Sequence, residues 1–574
     1  MPLRALLPAW ITRYRRAHLT ADVVAGLVVG ILIIPQSLAY ALLAGLPPQA
    51  GLYAGILPVI AYAWVGSSMT QAVGPVAITA IMTFSVLSPL ATPGSTPYLE
   101  LAAWLALLSG IMVLAFGLLR LGFLAQLLSR PVISGFISGS AVLIALSQIR
   151  PLLGVPRGTP GSGTLPDQLA ALWAGINAAT LLIGALSLLI LLAARSLLPQ
   201  ILCHWRMRPT LASFIVRLTP LAVVALATVA VVRFDLDLRH GVAVVGQVAG
   251  GMAAFALTLP EAQTFGQLLV PAILLALIGM VQNITMAHAL AIKRRERVDA
   301  NRELIGLGCA NVCAAFSGGM PVGGGISRSA INVSAGAQTP LASIVAALFL
   351  LGIVLAGTQW LARLPLATLA ANIIVAALAM FDFKALRQAW AYDRADALAL
   401  VGTALGVLVL GIEAGIALGV ILSLTTLVLR ASTPHIAIVG RIPGSEHFRN
   451  IERYGTETLP GALFLRIDES LFFGNLTAVE SRLSGELGRA PLVRDVVLLM
   501  SGVNRIDTTA METLCDLNRD LAARGIRIHL AEIKGQVTDR LRHSPLLREL
   551  SGQVFLSAHQ AYEQLAALAS PPRG

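Results

Sequence analysis

Residues 318–332 read Gly-Gly-Met-Pro-Val-Gly-Gly-Gly-Ile-Ser-Arg-Ser-Ala-Ile-Asn, and long apolar segments lie on both sides of them. The glycines and Pro321 disfavour a continuous helix through this stretch. Lipid offers no hydrogen-bond partner to free backbone groups, so a break at membrane depth must be buried in protein or line a wet cavity. The stretch therefore predicts a broken helix inside a membrane-spanning chain.

An arginine stands where this break gives way to the next apolar segment. Arg328 has a serine on each side, Ser327 and Ser329. An arginine at bilayer depth costs about 2.5–3.5 kcal/mol on insertion scales, which indicates a role beyond packing. A helix N-terminus with free amides, two hydroxyls and a guanidinium predicts a site for an anion.

The composition is that of a polytopic membrane protein. The chain has 574 residues, of which 56% are hydrophobic and 12% charged, whereas soluble domains are about 45–50% apolar and about 25% charged. The formal net charge of +12 reflects arginines clustered between apolar segments, so we read it as the charge bias of cytoplasmic loops and expect no nucleic-acid partner. The four cysteines have no disulfide or metal-site spacing, and no cofactor is expected.

The apolar segments predict about fourteen spans of the lipid bilayer. The basic residues 1–20 carry no compact cleavable signal peptide, so the first apolar segment is expected to be retained. The predicted spans are residues 22–40, 51–65, 72–87, 98–119, 131–149, 174–194, 211–232, 271–292, 304–316, 326–333, 340–360, 366–381, 395–410 and 412–430.

Lysine and arginine predict the orientation of these spans, because they concentrate in cytoplasmic loops. They follow the even-numbered spans at Arg120, Arg130, Arg195, Arg206, Arg208, residues 293–297, Lys384, Arg387, Arg394 and Arg430. The other loops hold few, such as Arg157 and Arg363. Both termini are therefore expected in the cytoplasm.

Two further stretches resemble the break at residues 318–332. Pro35-Gln36-Ser37 interrupts the first predicted span and predicts a broken helix there, with a proline kink as the alternative. Val73-Gly74-Pro75-Val76 opens the third span, and its Gly-Pro start suits a helix N-terminus. Spans three and ten are seven apart, as in an inverted repeat of seven plus seven whose breaks face each other at the midplane. Two helix N-termini at one pocket favour a negatively charged ligand.

The chain becomes more polar from Thr433 onward. Apolar alternation and β-rich composition predict strands at residues 461–468, 493–500, 526–530 and 553–556, with helices at 508–525 and 558–568. Strands that alternate with helices predict a small α/β domain of about 130 residues. We therefore divide the chain into a basic N-terminus, residues 1–20, a transmembrane domain, 21–431, and a cytoplasmic domain, 432–574.

Several separate motifs, in order along nearly the whole chain, resemble the sulfate permease family of anion transporters, also called the solute carrier 26 type. These are residues 34–41, 44–48, 51–53, 73–77, 301 with 303–304, and 327–330. The tail resembles a STAS domain, named for sulfate transporters and anti-sigma factor antagonists, through residues 501–510 and 529–532.

The resemblance implies a fourteen-span fold with a core domain and a gate domain, a homodimer in the plasma (bacterial inner) membrane, and an elevator-like movement of the core. It implies an anion between the N-termini of spans three and ten, near spans one and eight. Carried over residue by residue, the site would comprise Gln36, Tyr40, Val76, Ala77, Gln282, Gly325, Ile326, Ser327 and Arg328. Backbone amides and one fixed cation suit a solute that is carried rather than transformed, so no enzyme is expected.

One departure from the family concerns coupling. Many bacterial relatives look acidic where this chain has Gln282, and a glutamine cannot change charge. Anion exchange or uncoupled anion transport is therefore favoured over symport with a cation. Alternatively, Gln282 simply binds the substrate by a hydrogen bond. Glu413 opens the last span, where it either complements the helix dipole or couples transport to protons. The resemblance also makes Thr508 a candidate phosphorylation site, with capping of the following helix as the alternative.

Three functions compete on this sequence. The first is secondary transport of a small anion, sulfate most of all, with bicarbonate, chloride or a dicarboxylate as alternatives. The second is a membrane-anchored sensor whose STAS domain binds a cytoplasmic protein. The third, a nucleobase carrier, is disfavoured because a neutral base needs no fixed positive charge such as Arg328.

Overall fold

The computed structural model describes residues 8–12, 14–126, 129–155, 175–204, 207, 209–246, 261–356 and 359–569. The chain divides into two compact units, Met1–Ser423 and Leu424–Gly574. The basic residues Arg157, Arg206 and Arg208, which entered the prediction of orientation, lie outside the described residues. The domain boundaries proposed from composition remain predictions.

The first unit is built from helices. They are α1 Ala9–Thr12, α2 Leu19–Leu43, α3 Pro48–Tyr53, α4 Leu57–Val65, α5 Ala77–Leu87, α6 Thr96–Leu118, α7 Arg130–Ser147, α8 Ile149–Leu153, α9 Ala178–Ser196, α10 Leu198–His204, α11 Pro209–Phe234, α12 Leu236–His240, α13 Ala262–Arg294, α14 Ala300–Phe316, α15 Ile326–Ser334, α16 Leu341–Ala356, α17 Gln359–Ala362, α18 Leu366–Leu378, α19 Phe383–Tyr392, α20 Arg394–Leu410 and α21 Ile412–Ser432, which continues into the second unit.

Among the described residues, seven helical segments are long and apolar enough to cross a bilayer unaided. Shorter apolar helices, such as α5 and α16, add to them. The helical membrane fold is thus confirmed, while the count of about fourteen spans stays a prediction. The second predicted span is in fact split into α3 and α4, and Pro58 lies in the first turn of α4, where a proline is tolerated.

The break predicted at Pro35 is wrong, because α2 is helical throughout Leu19–Leu43 with the proline inside it. A proline removes one backbone hydrogen bond but does not end a helix whose neighbouring turns are held by packing. Those turns rest closely on α16: a Cβ on Gly26 would lie 2.5 Å from the carbonyl oxygen of Ala342. Such close approach of small residues is typical of membrane helix pairs.

The other two breaks meet, as predicted. Strand β1, Val73–Gly74, pairs antiparallel with strand β2, Gly323–Gly324, so that Val73 faces Gly324 and Gly74 faces Gly323. Each strand is followed within three residues by a helix, α5 after β1 and α15 after β2. The ladder satisfies backbone groups that lipid could not, which is why extended chain is tolerated at this depth.

The second unit contains a six-stranded sheet in the order β4-β3-β5-β6-β7-β8. Its strands are β3 Ile436–Arg441, β4 Phe448–Asn450, β5 Ala462–Ile467, β6 Asp495–Leu499, β7 Arg527–Ala531 and β8 Val554–Phe555. Strands β5 to β8 run parallel, and β3 is antiparallel to both of its neighbours.

Helices cover this sheet and complete a small α/β domain, as predicted. They are α22 Leu476–Arg489, α23 Thr508–Ala523, α24 Gly535–Leu541, α25 Leu546–Glu549 and α26 Ala558–Ala569. The strands predicted at residues 461–468, 493–500, 526–530 and 553–556 correspond to β5, β6, β7 and β8. The predictions omitted β3, β4, α22, α24 and α25. Three of these, β4, α24 and α25, have only three to seven residues, so they show little of the periodic pattern on which assignments depend.

Candidate functional site

The two-strand ladder brings two helix N-termini together. Helix α5 is capped by Val76 and α15 by Gly325, and neither cap residue accepts a side-chain hydrogen bond. The first amides of a helix have no acceptor within the helix itself. Residues 77–79 and 326–328 therefore present N–H groups that have no acceptor within their own helices, at the positive ends of two helix dipoles beside the ladder.

Arg328 lies beside the ladder and is almost completely buried, with 3% of its surface exposed. Its Nη1 donates to the carbonyl oxygen of Val73 at 3.2 Å and its Nη2 to that of Pro75 at 3.1 Å. Its Nε is buried without a partner, and within the described part of the chain no carboxylate pairs with it. The guanidinium thus ties the break at residues 318–328, the second break, to the break at residues 73–76, the first break. Its positive charge has no carboxylate beside it among the described residues.

Helix α15 holds the first break at further points. Ser329 Oγ accepts from the backbone N–H of Ala72 at 2.9 Å. Asn332 Nδ2 donates to the carbonyl oxygen of Thr70 at 2.9 Å, and the N–H of Gly325 donates to the carbonyl oxygen of Ala72 at 3.1 Å. Residues of α15 therefore set the position of the chain that leads into α5.

The second break is held in turn by two residues that sequence reasoning missed. Asn311 on α14 accepts from the N–H of Val322 at 2.9 Å and donates to its carbonyl oxygen at 3.1 Å. Thr79 on α5 donates to the carbonyl oxygen of Pro321 at 3.0 Å. The two contacts span 11 and 242 residues of sequence, so only a polar residue in an apolar helix could have signalled them.

The predicted site residues fall into two groups. Val76, Ala77 and Gly325 lie at the helix starts beside the ladder, as do the backbones of Ile326 and Ser327, whose side chains lie outside the description. Arg328 joins them, and Tyr40 lies within electrostatic range of its guanidinium.

Gln36 is separate from this group. It lines a cavity of about 320 Å³ between α2, α15, α11 and α18, with Pro35, Pro220 and Asn372 among its neighbours. Asn372 contributes a second amide to this cavity, and no pattern in the chain singled it out. Gln36 therefore lies in a cavity that α15 also lines, apart from the two helix starts.

Gln282 lines a different cavity, of about 300 Å³, between α5 and α13 on one side and α7, α20 and α21 on the other. The walls are almost wholly apolar. Its Oε1 is buried without a partner and lies 3.9 Å from the position a Cβ would take on Gly323. Gln282 thus stands where this cavity meets the ladder.

In the second unit, Thr508 is exposed at the first position of α23. It does not cap the helix: Asp507 does so, because its Oδ1 accepts from the N–H of Ala510 at 2.8 Å. The alternative offered for Thr508 is therefore wrong, and its phosphorylation stays a prediction. The residue borders a cavity of about 400 Å³ that Arg505 and Arg540 also line.

Ionisable groups of the second unit are paired at the strand ends. Partial burial pushes the pKa of Asp468 upward, but hydrogen bonds from Arg466 and His435, together with their charges, outweigh burial and lower it. Arg466 Nε lies 2.6 Å from Asp468 Oδ1, and His435 Nδ1 lies 2.7 Å from Asp468 Oδ2. This cluster joins β5 to the residue before β3.

Comparison with known proteins gives two family matches. A model of the sulfate permease family matches residues 19–403, and a model of the STAS domain matches residues 454–561. The probable sulfate transporter 4.2 of Arabidopsis thaliana is 33% identical over 572 residues, which cover 96% of this chain and 82% of that protein. A probable sulfate transporter of Mycobacterium tuberculosis (strain CDC 1551 / Oshkosh) is 33% identical over 557 residues, 96% of each chain.

Solved structures share the fold at low sequence identity. The murine Solute Carrier 26 family member A9 anion transporter, in its inward-facing state, superposes with a TM-score of 0.86 at 23% identity, covering 98% of this chain and 94% of that one. The transmembrane domain of a cyanobacterium bicarbonate transporter superposes with a TM-score of 0.60 at 22% identity, covering 70% of this chain and 98% of that one.

Proposed function

This chain belongs to the sulfate permease family and carries a STAS domain, and we propose that it moves a small inorganic anion, sulfate foremost, across the membrane as a secondary transporter. It is a multi-pass membrane protein and a transporter rather than an enzyme. The observation that carries the proposal is the pairing of β1 with β2, which brings two helix N-termini and Arg328 to one place. Unpaired amides and a fixed positive charge bind an anion without changing it.

The anion would lie between the N-termini of α5 and α15, where the amides of Ala77, Ile326 and Ser327 and the charge of Arg328 surround it. Tyr40 and Gln282 would border it, and Gln36 would line its approach. Sulfate is the first choice because the relatives with 33% identity are named as probable sulfate transporters. The bicarbonate transporter supports the fold alone, so bicarbonate, chloride and dicarboxylates belong in the test as competitors.

The cavity that Gln282 lines supports the elevator-like mechanism that is part of this proposal. This cavity lies between two groups of helices. Helices α5 and α13, which lie against the ladder, form one side, and α7, α20 and α21 form the other. Sliding of these two helix groups past each other would carry the ladder and its anion as one body. A cysteine pair at Phe136 and Thr285, both of which line the cavity, should stop uptake when cross-linked in a background without other cysteines. Unchanged uptake in the cross-linked protein would argue against this movement.

The proposal is tested in proteoliposomes with radiolabelled sulfate and a panel of competing anions. Arg328→Ala should abolish uptake because it removes the charge and two bonds that join the breaks. Arg363→Ala is the matched control: this arginine belongs to the same unit, is 40% exposed and faces Asp235 and Asp237 at 3.6 Å. Failure of the wild-type protein to move any anion would favour a sensor that acts through the STAS domain.

Assembly and orientation are part of the same proposal. Cytoplasmic termini in a plasma (bacterial inner) membrane agree with the arginine distribution along the chain. The homodimer is the assembly that the resemblance to the sulfate permease family implies. The mass of the detergent-purified protein, measured with its detergent contribution subtracted, should be twice that of the chain. A protein partner of the STAS domain is expected in the cytoplasm.

A further inference from the structure

A fully buried carboxylate outside the proposed anion site collects donors from three parts of the first unit. Glu303, near the start of α14, has 0% of its surface exposed. Its Oε1 accepts from the backbone N–H of Ser67 at 2.8 Å, from Ser67 Oγ at 2.7 Å and from the N–H of Ser68 at 2.8 Å. These bonds attach the segment between α4 and β1 to α14.

The second oxygen of the same carboxylate is also occupied. Glu303 Oε2 accepts from the hydroxyl of Tyr62 on α4 and from Asn283 Nδ2 on α13, the latter at 3.2 Å. In the described part of the chain no lysine, arginine or histidine pairs with Glu303. An ionised carboxylate accepts at both oxygens and donates at neither, so it matches a surrounding made only of donors.

The carboxylate also determines the direction of the bonds beyond it. Asn283 is fully buried and directs its Nδ2 toward Glu303, both to the carboxylate and, at 3.3 Å, to the main-chain carbonyl oxygen. Its Oδ1 is therefore left to accept from Gln71 Nε2 at 2.5 Å. Gln71 Nε2 donates to the carbonyl oxygen of Asn283 as well, at 3.3 Å. Three bonds thus orient the amide of Asn283, and two bonds from Nε2 orient the amide of Gln71.

The bonds from Glu303 through Asn283 to Gln71 form a relay, and its last two members contact the ladder. A Cβ on Gly324, in β2, would lie 2.7 Å from Gln71 Nε2 and 3.0 Å from Asn283 Oδ1. Gln71 stands two residues before β1, and Asn283 follows Gln282 directly. The relay therefore contacts one strand, leads into the other, and sits beside the glutamine that borders the proposed anion.

We propose that Glu303 is a positioning residue for anion transport, because its charge sets the direction of the relay Glu303–Asn283–Gln71, which holds β1, β2 and Gln282 in their places. This inference rests on the proposed function. Replacing the carboxylate by an amide would put an NH2 group against the Nδ2 of Asn283. To avoid two facing donors both amides would have to turn, and each would lose its bond to a main-chain carbonyl oxygen.

Exchanging the carboxylate at position 303 with the amide at position 283 tests whether the direction of the hydrogen bonds matters, because both side chains keep their size. Glu303→Gln leaves two donors facing each other, whereas Asn283→Asp places two carboxylates face to face in a buried site. The double variant Glu303→Gln with Asn283→Asp keeps one negative charge in the relay and again sets a donor against an acceptor between positions 303 and 283, with the Tyr62 hydroxyl turned to accept from the new amide. The amide introduced at position 303 would donate to the carboxylate introduced at position 283, and that carboxylate would still accept from Gln71. The relay is thus rebuilt with the charge moved by one residue.

Each variant is reconstituted in liposomes, and KM and Vmax for sulfate are measured on amounts normalised to folded protein. Glu303→Gln should raise KM about tenfold, or about 1.4 kcal/mol, while Asn283→Asp should lose more. The double variant should return to within about threefold of the wild-type KM, as expected for residues coupled in one network. Tyr62→Phe, which removes one donor without reversing the relay, should change KM less than Glu303→Gln.

Several outcomes would overturn the inference. The first is a wild-type KM for Glu303→Gln. The second is a KM for the double variant that is no lower than that of the worse single variant. The third is a loss in the single variants that affects Vmax alone. If the single variants do not fold, the folded yield and KM of the double variant decide in the same way. If the wild-type protein transports no anion, the proposed function fails. The relay is then judged by thermal unfolding, where losses that cancel in the double variant support it and additive losses contradict it.

Discussion

The guanidinium of Arg328 fills the space that a side chain on Gly74 would need. A Cβ built on Gly74 would lie 1.7 Å from Arg328 Nη1, closer than any non-bonded contact. The glycine of β1 is therefore a condition for the arginine of α15 to reach the carbonyl oxygens of Val73 and Pro75. The two breaks are complementary in shape as well as in hydrogen bonding.

Gly74→Ala should consequently abolish anion uptake, because the added methyl group displaces the guanidinium from the ladder. The loss should exceed tenfold, about 1.4 kcal/mol or more, and is measured as sulfate uptake per folded protein in proteoliposomes. Gly352→Ala on α16 is the control, since no atom lies within 4 Å of its added Cβ. Normal uptake by Gly74→Ala would mean that Arg328 does not need its present position.

The position of the ladder could be predicted from the sequence, since glycine together with proline at 73–76 and at 318–328 disfavours a continuous helix. The same reasoning failed at Pro35, because it treats a helix by itself and α2 is supported along its length by α16. A local pattern shows only where a proline stands, whereas tertiary packing determines whether that proline breaks the helix.

The polar contacts that hold the site together could not be predicted from the sequence, again because tertiary packing determines them. The groups that orient the breaks, among them Asn311, Asn283 and Glu303, bond to partners 11 to 241 residues away. Asn283 and Glu303 stand beside other polar residues, Gln282 and Arg302, and nothing in their spacing indicates their partners. Their partners are mostly main-chain atoms, which carry no residue identity, so no pairing could be read from residue types.

Asn311→Ala should loosen β2, because it leaves the buried N–H and carbonyl oxygen of Val322 without partners. An unsatisfied buried group costs about 1–3 kcal/mol, so KM for sulfate should rise and the melting temperature of the purified protein should fall. Asn311→Asp keeps the acceptor for the N–H but, when ionised, sets a buried negative charge against the carbonyl oxygen of Val322, so it should rescue little of the loss. Wild-type KM and melting temperature in Asn311→Ala would contradict this account of Asn311.

Gln282→Glu should make transport sensitive to a pH gradient. Gln282 borders the ladder at the edge of an apolar cavity, where a carboxylate would be ionised only at a cost and could alternate between charged and neutral forms. The wild-type glutamine has no such forms, so a pH gradient alone should drive no accumulation of sulfate.

The two proteins are compared in liposomes with an imposed pH gradient, with and without an ionophore that dissipates it. Gln282→Met, which keeps the length of the side chain and cannot ionise, controls for the loss of the amide. Steep proton-driven uptake by the wild-type protein would refute the inference from Gln282 and direct attention to Glu413, in the first turn of α21.

In the STAS unit, Asp468 should stabilise the fold at neutral pH and lose that effect in acid. Its folded-state pKa lies below the ordinary value of 3.8, because bonds from Arg466 and His435 outweigh its partial burial. A depressed pKa contributes stability above the unfolded value, and this contribution disappears as the pH falls through the folded pKa. The window is therefore below about pH 4, and the effect is modest because the pair is partly exposed to solvent.

The measurement is thermal unfolding of the full-length protein and of Asp468→Asn from pH 7 down to pH 3. The wild-type protein should melt higher at neutral pH, and the two curves should converge at the acid end because protonation then makes Asp468 neutral, as the asparagine is. Asp539→Asn serves as a control, since Asp539 and Arg542 are 3.6 Å apart and largely exposed, so this change should have little effect at any pH. A difference between wild type and Asp468→Asn that persists unchanged at pH 3 would show that charge is not what Asp468 contributes.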